Sequence, residues 1–267
     1  MSRRRFLLRV LRVSGGLMAL AGAAQFVQAA GGTSDYDSRV ATESLPVVGV
    51  PGLGGYLARP KSAGKYPGIV IIHDNRGLDE HIRKFARRLA AEGYLALAVD
   101  FGAFAAPTAT DGRTMSEAIE ALKRSEIVAG CRAAVAMLTA RPDCTRKIGG
   151  AGFGWGGLAL GYLGLAEPTL SAAVTYYGRQ PLYFLVDEYK LINAVMMFHY
   201  ASRDTKINEG ILPFGIDLRD AGRSFEVYSY PNVKHGFDDD TDSDAYDTAS
   251  AGIAWGRTIG FLKKQLA

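Results

Sequence analysis

The sequence predicts one α/β domain, a mainly parallel central sheet with helices on both faces, and three observations carry that expectation. Strand-like and helix-like segments alternate from residue 66 onward, as parallel strand-helix-strand units do. The run Ile69-Val70-Ile71-Ile72 is continuous, β-branched and bounded by turn residues, which is how a strand buried on both faces reads. Residues 147–160, KIGGAGFGWGGLAL, pass from a short apolar strand through a glycine cluster into a small-residue helix.

Taken in order, residues 31–44 are rich in Gly, Ser, Thr, Asp and Glu and read as a linker, with the folded domain expected over 45–267. Residues 45–58 hold two short apolar stretches broken by Pro51-Gly52 and Gly54-Gly55, an edge hairpin. Over 81–92 the apolar residues Ile82, Phe85, Ala86, Leu89 and Ala90 fall on one helical face, and Gly93 ends the helix. A buried strand follows at 94–99. Residues 100–113 read as a long loop at a strand end, where such sheets shape their ligand sites, and 115–140 as helical throughout. Beyond the glycine cluster the spacing predicts strands at 172–176, 194–199 and 225–230 and a helix around 208–221. The last helix is expected from about 245 to 266, with Ala251, Trp255, Ile259, Leu262 and Leu266 on one face.

The net charge of +4 misleads about the body of the protein. Arg3, Arg4, Arg5, Arg9 and Arg12 lie in the first 30 residues, which contain no acid, so the remainder carries −1 and has no electrostatic footprint for nucleic acid. Those residues read Ser2-Arg3-Arg4-Arg5-Phe6-Leu7, then a mildly apolar run over 15–27, then Val27-Gln28-Ala29, the pattern of a twin-arginine export leader over 1–30. Gly15, Gly16 and Gly22 weaken the competing reading of an amphipathic membrane helix. The expectation is a periplasmic or secreted protein, with no membrane association once the leader is removed. Cys131 and Cys144 are separated by 13 residues with a helix end between them, which disfavours a mutual disulfide; Cys131 reads as a small buried apolar residue.

Gly152, Gly154 and Gly156 occupy the first, middle and last positions of the nucleophile elbow G-x-S-x-G, in which a sharp strand-to-helix turn holds a nucleophilic side chain above the sheet. Here the middle position is glycine, so the scaffold is present without its nucleophile. Gly152, Gly154 and Gly157 also spell G-x-G-x-x-G. A dinucleotide site needs an acid about 20 residues later, and residues 171–176 contain none, so no cofactor is implied. An elbow of this type requires an acid and then a histidine on later strand-end loops. Asp204 follows the strand candidate ending at Phe198-His199-Tyr200, and His235 follows the one ending at Tyr230, in the order required. Asp204 would hold the imidazole Nδ1 proton while Nε2 faces the space above Gly154.

With those residues in place, the stretch from about residue 47 to 267 resembles the dienelactone hydrolase family, α/β-hydrolases that open lactone rings with a Cys-His-Asp triad. The family's G-[FY]-C-x-G-G is matched by Gly152-Phe153-Gly154-Trp155-Gly156-Gly157, its histidine motif by Val233-Lys234-His235-Gly236-Phe237, and its aspartate motif by residues 198–204. His73-Asp74-Asn75-Arg76-Gly77-Leu78-Asp79-Glu80-His81-Ile82-Arg83 resembles H-E-x-x-G-L-x-x-H-I-R. Two departures stand out. Gly154 replaces the cysteine, and the shorter Asp74 replaces the glutamate that interacts with it in active members. The resemblance implies an α/β-hydrolase fold, an oxyanion hole from the backbone N–H groups of Trp155 and Asn75, and a hydrolase of lactones or small carboxylic esters. Weak turnover by direct water attack is expected, or else a binding protein for a small carbonyl or carboxylate ligand.

Arg76 could grip a substrate carboxylate, against an ion pair with Asp74, Asp79 or Glu80. Tyr176, with the Tyr177-Gly178-Arg179 that follows, could line the pocket or simply pack. His73 and His199 end apolar strands and read as hydrogen-bonded core or wall residues. The acidic run Asp238, Asp239, Asp240, Asp242, Asp244, Asp247 invites a calcium reading, but from Asp238 or Asp240 an EF-hand's sixth and twelfth positions are not Gly and Glu. No metal is expected, and acids ahead of a helix are explained by its N-terminal dipole.

Overall fold

The computed structural model describes residues 37–106, 113–180 and 183–267; the predicted leader lies outside them, as do residues 31–36 of the predicted linker. Eight strands, β1 (Val40–Pro46), β2 (Gly54–Pro60), β3 (Tyr66–Ile72), β4 (Leu95–Asp100), β5 (Cys144–Phe153), β6 (Leu170–Tyr176), β7 (Val195–Ala201) and β8 (Phe225–Tyr230), form one sheet in the order β1-β2-β4-β3-β5-β6-β7-β8. From β4 to β8 every pairing is parallel; β1 and β2 add an antiparallel edge. The helices are α1 (Glu80–Ala91), α2 (Phe101–Ala105), α3 (Met115–Glu120), α4 (Arg124–Thr139), α5 (Trp155–Ala166), α6 (Thr205–Asn208), α7 (Ile211–Asp220) and α8 (Thr248–Gln265), with a 3₁₀ segment at Tyr183–Leu191.

The two-residue period of the strands sorts the core. Val70 and Ile72 of β3 join Leu97 and Val99 of β4 in a cluster with residues of α4 and α5. Ile69 and Ile71 join Ala96, Ala98 and Ala151 in a second cluster with α1 and α8. Because both faces are covered, the central strands show no polar alternation, and this is why they were legible as apolar runs.

Four element boundaries depart from the sequence reading. β1 starts at Val40, inside the stretch read as linker: its outer residues are exposed and polar, and its order comes from backbone pairing with β2, which leaves no apolar signature. The segment read as one helix from 115 to 140 is two, because Glu126 turns its carboxylate back onto the Lys123 N–H at 2.7 Å and caps a new start. The loop expected from residue 100 begins with α2, capped by Asp100, whose carboxylate accepts from Ala103 N–H at 2.9 Å. The last helix starts at Thr248, capped by Asp247.

The elbow depends on backbone contact. A β-carbon on Gly156 would stand 2.2 Å from the Ile72 carbonyl oxygen, so the first turn of α5 rests directly on the end of β3. This close approach is why the run after the turn is glycine.

Candidate active site

Between β5 and α5, Gly154 adopts φ 48° and ψ −112°, the left-handed half of backbone space in which a side chain is strained. Its N–H donates to the Tyr176 carbonyl at 3.1 Å, and its carbonyl accepts from Gly157 at 3.0 Å and Arg179 at 2.9 Å. Both sides of the turn are therefore fixed. A β-carbon built on Gly154 would point at two groups: the Asp74 β-carbon at 3.2 Å and His235 Nε2 at 3.3 Å.

Asp204 and His235 are brought together. The Asp204 carboxylate uses both oxygens, one accepting from Ile207 N–H at 3.2 Å, which caps α6, and the other on His235 Nδ1 at 2.5 Å. A carboxylate can only accept, so Nδ1 carries the proton and Nε2 presents its lone pair toward Gly154. Asp204 is 9% exposed and the His235 side chain 44%, so the carboxylate is sheltered while the imidazole meets water. Such an imidazole can accept a proton on Nε2 from a group above Gly154.

Trp155 opens α5, and its N–H is one of those that a helix leaves without an internal acceptor. Asn75 follows Asp74 on the loop that leaves β3, and neither its N–H nor that of Trp155 donates to a backbone acceptor among the described residues. Both groups expected to form an oxyanion hole thus lie beside the elbow with unused donors. His73 is completely buried. It stacks on Trp155, with ring centroids 6.1 Å apart, accepts from Gly102 N–H on Nε2 at 3.3 Å, and contacts the Asp74 carbonyl with Nδ1 at 2.5 Å. Burial holds its pKa below the ordinary value, so it is a neutral brace for this loop.

Two expected site residues are placed differently. Arg76, its side chain 45% exposed, is engaged largely by nearby acids: its N–H and Nε donate to the two oxygens of Asp74 at 2.7 and 2.9 Å, Nη2 donates to Asp239 at 2.8 Å, and Asp79 lies 3.5 Å away. An arginine so engaged is a clamp between the β3 loop and the loop that follows His235. Glu80, weighed as a partner of Arg76, pairs instead with Arg87.

Tyr176 does not line the site. It is buried, stacked on Phe153, and its hydroxyl meets Thr258 of α8 at 2.7 Å, because the final residue of β6 points into the α8 face of the core. The next residue, Tyr177, takes the place: at φ 39° it leaves the strand period and lays its ring against the His235 imidazole, centroids 4.4 Å apart. The twin tyrosines were visible in the sequence, but the left-handed turn that selects the second was not.

His199 also belongs to the core, between the Tyr230 hydroxyl at 2.9 Å and Thr258 at 3.0 Å, with burial pushing its pKa down to about 3. In the acidic run only Asp247 caps the following helix. Asp239, Asp240 and Asp244 pair with Arg76, Lys84 and Lys234, so their explanation is pairing with basic groups more than the helix dipole. Cys131 and Cys144 are both buried and free.

The sequence profile of the dienelactone hydrolase family matches residues 53–266. An Escherichia coli (strain K12) protein named "Putative carboxymethylenebutenolidase" is 29% identical over 242 residues, covering 83% of this chain and 85% of its own length. One of the same name from Synechocystis sp. is 26% identical over 240 residues, covering 80% and 92%. Among solved structures, one titled "Putative Dienelactone Hydrolase" from Klebsiella pneumoniae superposes with a TM-score of 0.75 at 25% identity, covering 84% of this chain and 99% of that one.

Proposed function

The chain belongs to the dienelactone hydrolase family, and from that premise we propose that it hydrolyses lactones or small carboxylic esters by direct attack of water, without a covalent intermediate. The observation that carries this reading is the base: His235, held by Asp204 at 2.5 Å, turns Nε2 toward the space above Gly154, where a relative with cysteine would hold its thiol. With no side chain there, the group that His235 can deprotonate is a water standing between Nε2 and the substrate carbonyl. The carbonyl oxygen would sit on the N–H groups of Trp155 and Asn75, which stabilise the developing oxyanion. Asp204 stabilises the imidazolium until its proton passes to the leaving alkoxide.

A second reading, binding without turnover, is favoured by the crowding over Gly154, where His235 and the Asp74 β-carbon both approach closely. Comparing the protein with Gly154→Cys on lactones and short aryl esters separates the two. The expected result is trace turnover with no acyl-enzyme burst in the unmodified protein, and a gain of at least roughly 10²-fold with a burst in the variant. A folded variant that binds these esters and stays inactive would favour the binding reading.

The arginine-rich leader supports export by the twin-arginine route to the periplasm or beyond. Replacing Arg3, Arg4 and Arg5 with lysine and fractionating cells should leave the protein in the cytoplasm.

A further inference from the structure

The charges around Gly154 define what kind of acyl group the site can accept. Arg76 is the basic residue closest in sequence to the oxyanion loop, and its guanidinium is bound to Asp74 and Asp239, with Asp79 beside it. One cation therefore faces three carboxylates. Asp239 is fully buried; burial opposes its ionisation, yet the Thr241 hydroxyl, His81 and Arg76 together hold its pKa below the usual carboxylate range, so it stays charged. Asp74 sets one of these paired carboxylates beside the reacting position, its β-carbon 3.2 Å from where a Gly154 side chain would begin. Arg179, beyond the elbow, is paired with Glu120 at 2.8 Å, and Arg113 is also partnered. Arg203, next to Asp204, is exposed to solvent.

We propose, resting on the hydrolase reading above, that this site selects acyl substrates that are uncharged or cationic near the reacting carbonyl and discriminates against those bearing a carboxylate. An incoming carboxylate would find Nε and Nη2 of Arg76 already committed to carboxylates and would meet a locally negative balance of charge, which repels it. A neutral ester needs only the oxyanion donors and His235.

The test uses three 4-nitrophenyl esters of matched length: pentanoate (neutral), hemiglutarate (anionic) and 4-(trimethylammonio)butyrate (cationic), each rate divided by that of hydroxide-catalysed hydrolysis in the same buffer. The normalised kcat/KM for the neutral ester should exceed that for the anion by about 10-fold at low ionic strength, with the cation at least equal to the neutral ester. Asp239→Asn, which removes one negative charge from beside the Arg76 guanidinium, should shrink the neutral-to-anion ratio at least about 3-fold, and Arg76→Gln should widen it. Should Asp239→Asn fail to fold, the Arg76→Gln ratio decides. An anionic ester preferred by the unmodified protein, or a ratio unmoved by the folded variants, would overturn the proposal.

If none of the esters is turned over, the hydrolase reading fails separately, and binding then tests charge selection. The imidazole resonances of His235 are followed during titration with hexan-2-one and with 5-oxohexanoate. Saturable shifts with the neutral ketone alone uphold the selection; equal shifts, shifts with the anion alone, or none with either overturn it.

Discussion

His235 Nε2 stands 3.3 Å from the point at which a side chain on Gly154 would begin, while its Nδ1 is held at 2.5 Å by Asp204. The imidazole is thus aimed at a position that this chain leaves empty, and the adjoining backbone geometry remains that of a turn built to present a side chain.

Gly154→Cys should cost stability even as it adds a nucleophile. At φ 48° a β-carbon is strained, and the Asp74 and His235 contacts at 3.2 and 3.3 Å require both neighbours to give by a few tenths of an ångström. We expect a loss of about 1–3 kcal/mol, measured by urea denaturation. An unchanged urea midpoint would mean that the turn relaxes to accept the side chain.

Asp204→Asn should preserve the fold and remove the base. Asparagine can still cap Ile207 N–H through its carbonyl oxygen, but its amide no longer compels the proton onto His235 Nδ1 or stabilises an imidazolium. Any ester turnover should fall by about 10²–10⁴-fold, with a circular dichroism spectrum like that of the unmodified protein. Equal turnover in the two proteins would exclude His235 as the base.

Gly156→Ala should prevent correct folding. The added carbon would lie 2.2 Å from the Ile72 carbonyl oxygen and 2.5 Å from that of His73, both backbone atoms with no flexible end to move aside. A destabilisation above about 4 kcal/mol is expected, read as loss of soluble protein or of the thermal unfolding transition. A variant with near-native stability would show that α5 can lift from β3.

His199 makes stability fall with acid. Its folded pKa is about 3 against an ordinary 6.5, so the unfolded chain takes up a proton that the folded protein refuses. The contribution is fully present above pH 6.5 and is lost progressively as pH falls toward 3, on the order of 5 kcal/mol when complete. Urea midpoints at pH 7 and pH 4.5 should differ more in the unmodified protein than in His199→Gln, which keeps a hydrogen-bonding side chain facing Tyr230 and Thr258. Equal differences would mean that His199 is not held neutral.

The α/β class, the elbow and the Asp204-then-His235 order were legible in the sequence because each is written locally: in apolar runs set by burial on both sheet faces, in glycines demanded by backbone contact, and in residues placed directly after strands. The vacant position at Gly154 needed no structure at all. Only the tertiary structure decided that Arg76 is a clamp, since its partner Asp239 lies 163 residues away on another loop. It also chose Tyr177 over Tyr176, through a left-handed backbone angle at the end of β6, and ordered β1 by backbone pairing that its polar sequence conceals. Periodicity records which face of an element is buried. Which charges and rings meet above the sheet depends on how loops from distant strands converge at one edge, and that convergence follows from packing the whole domain.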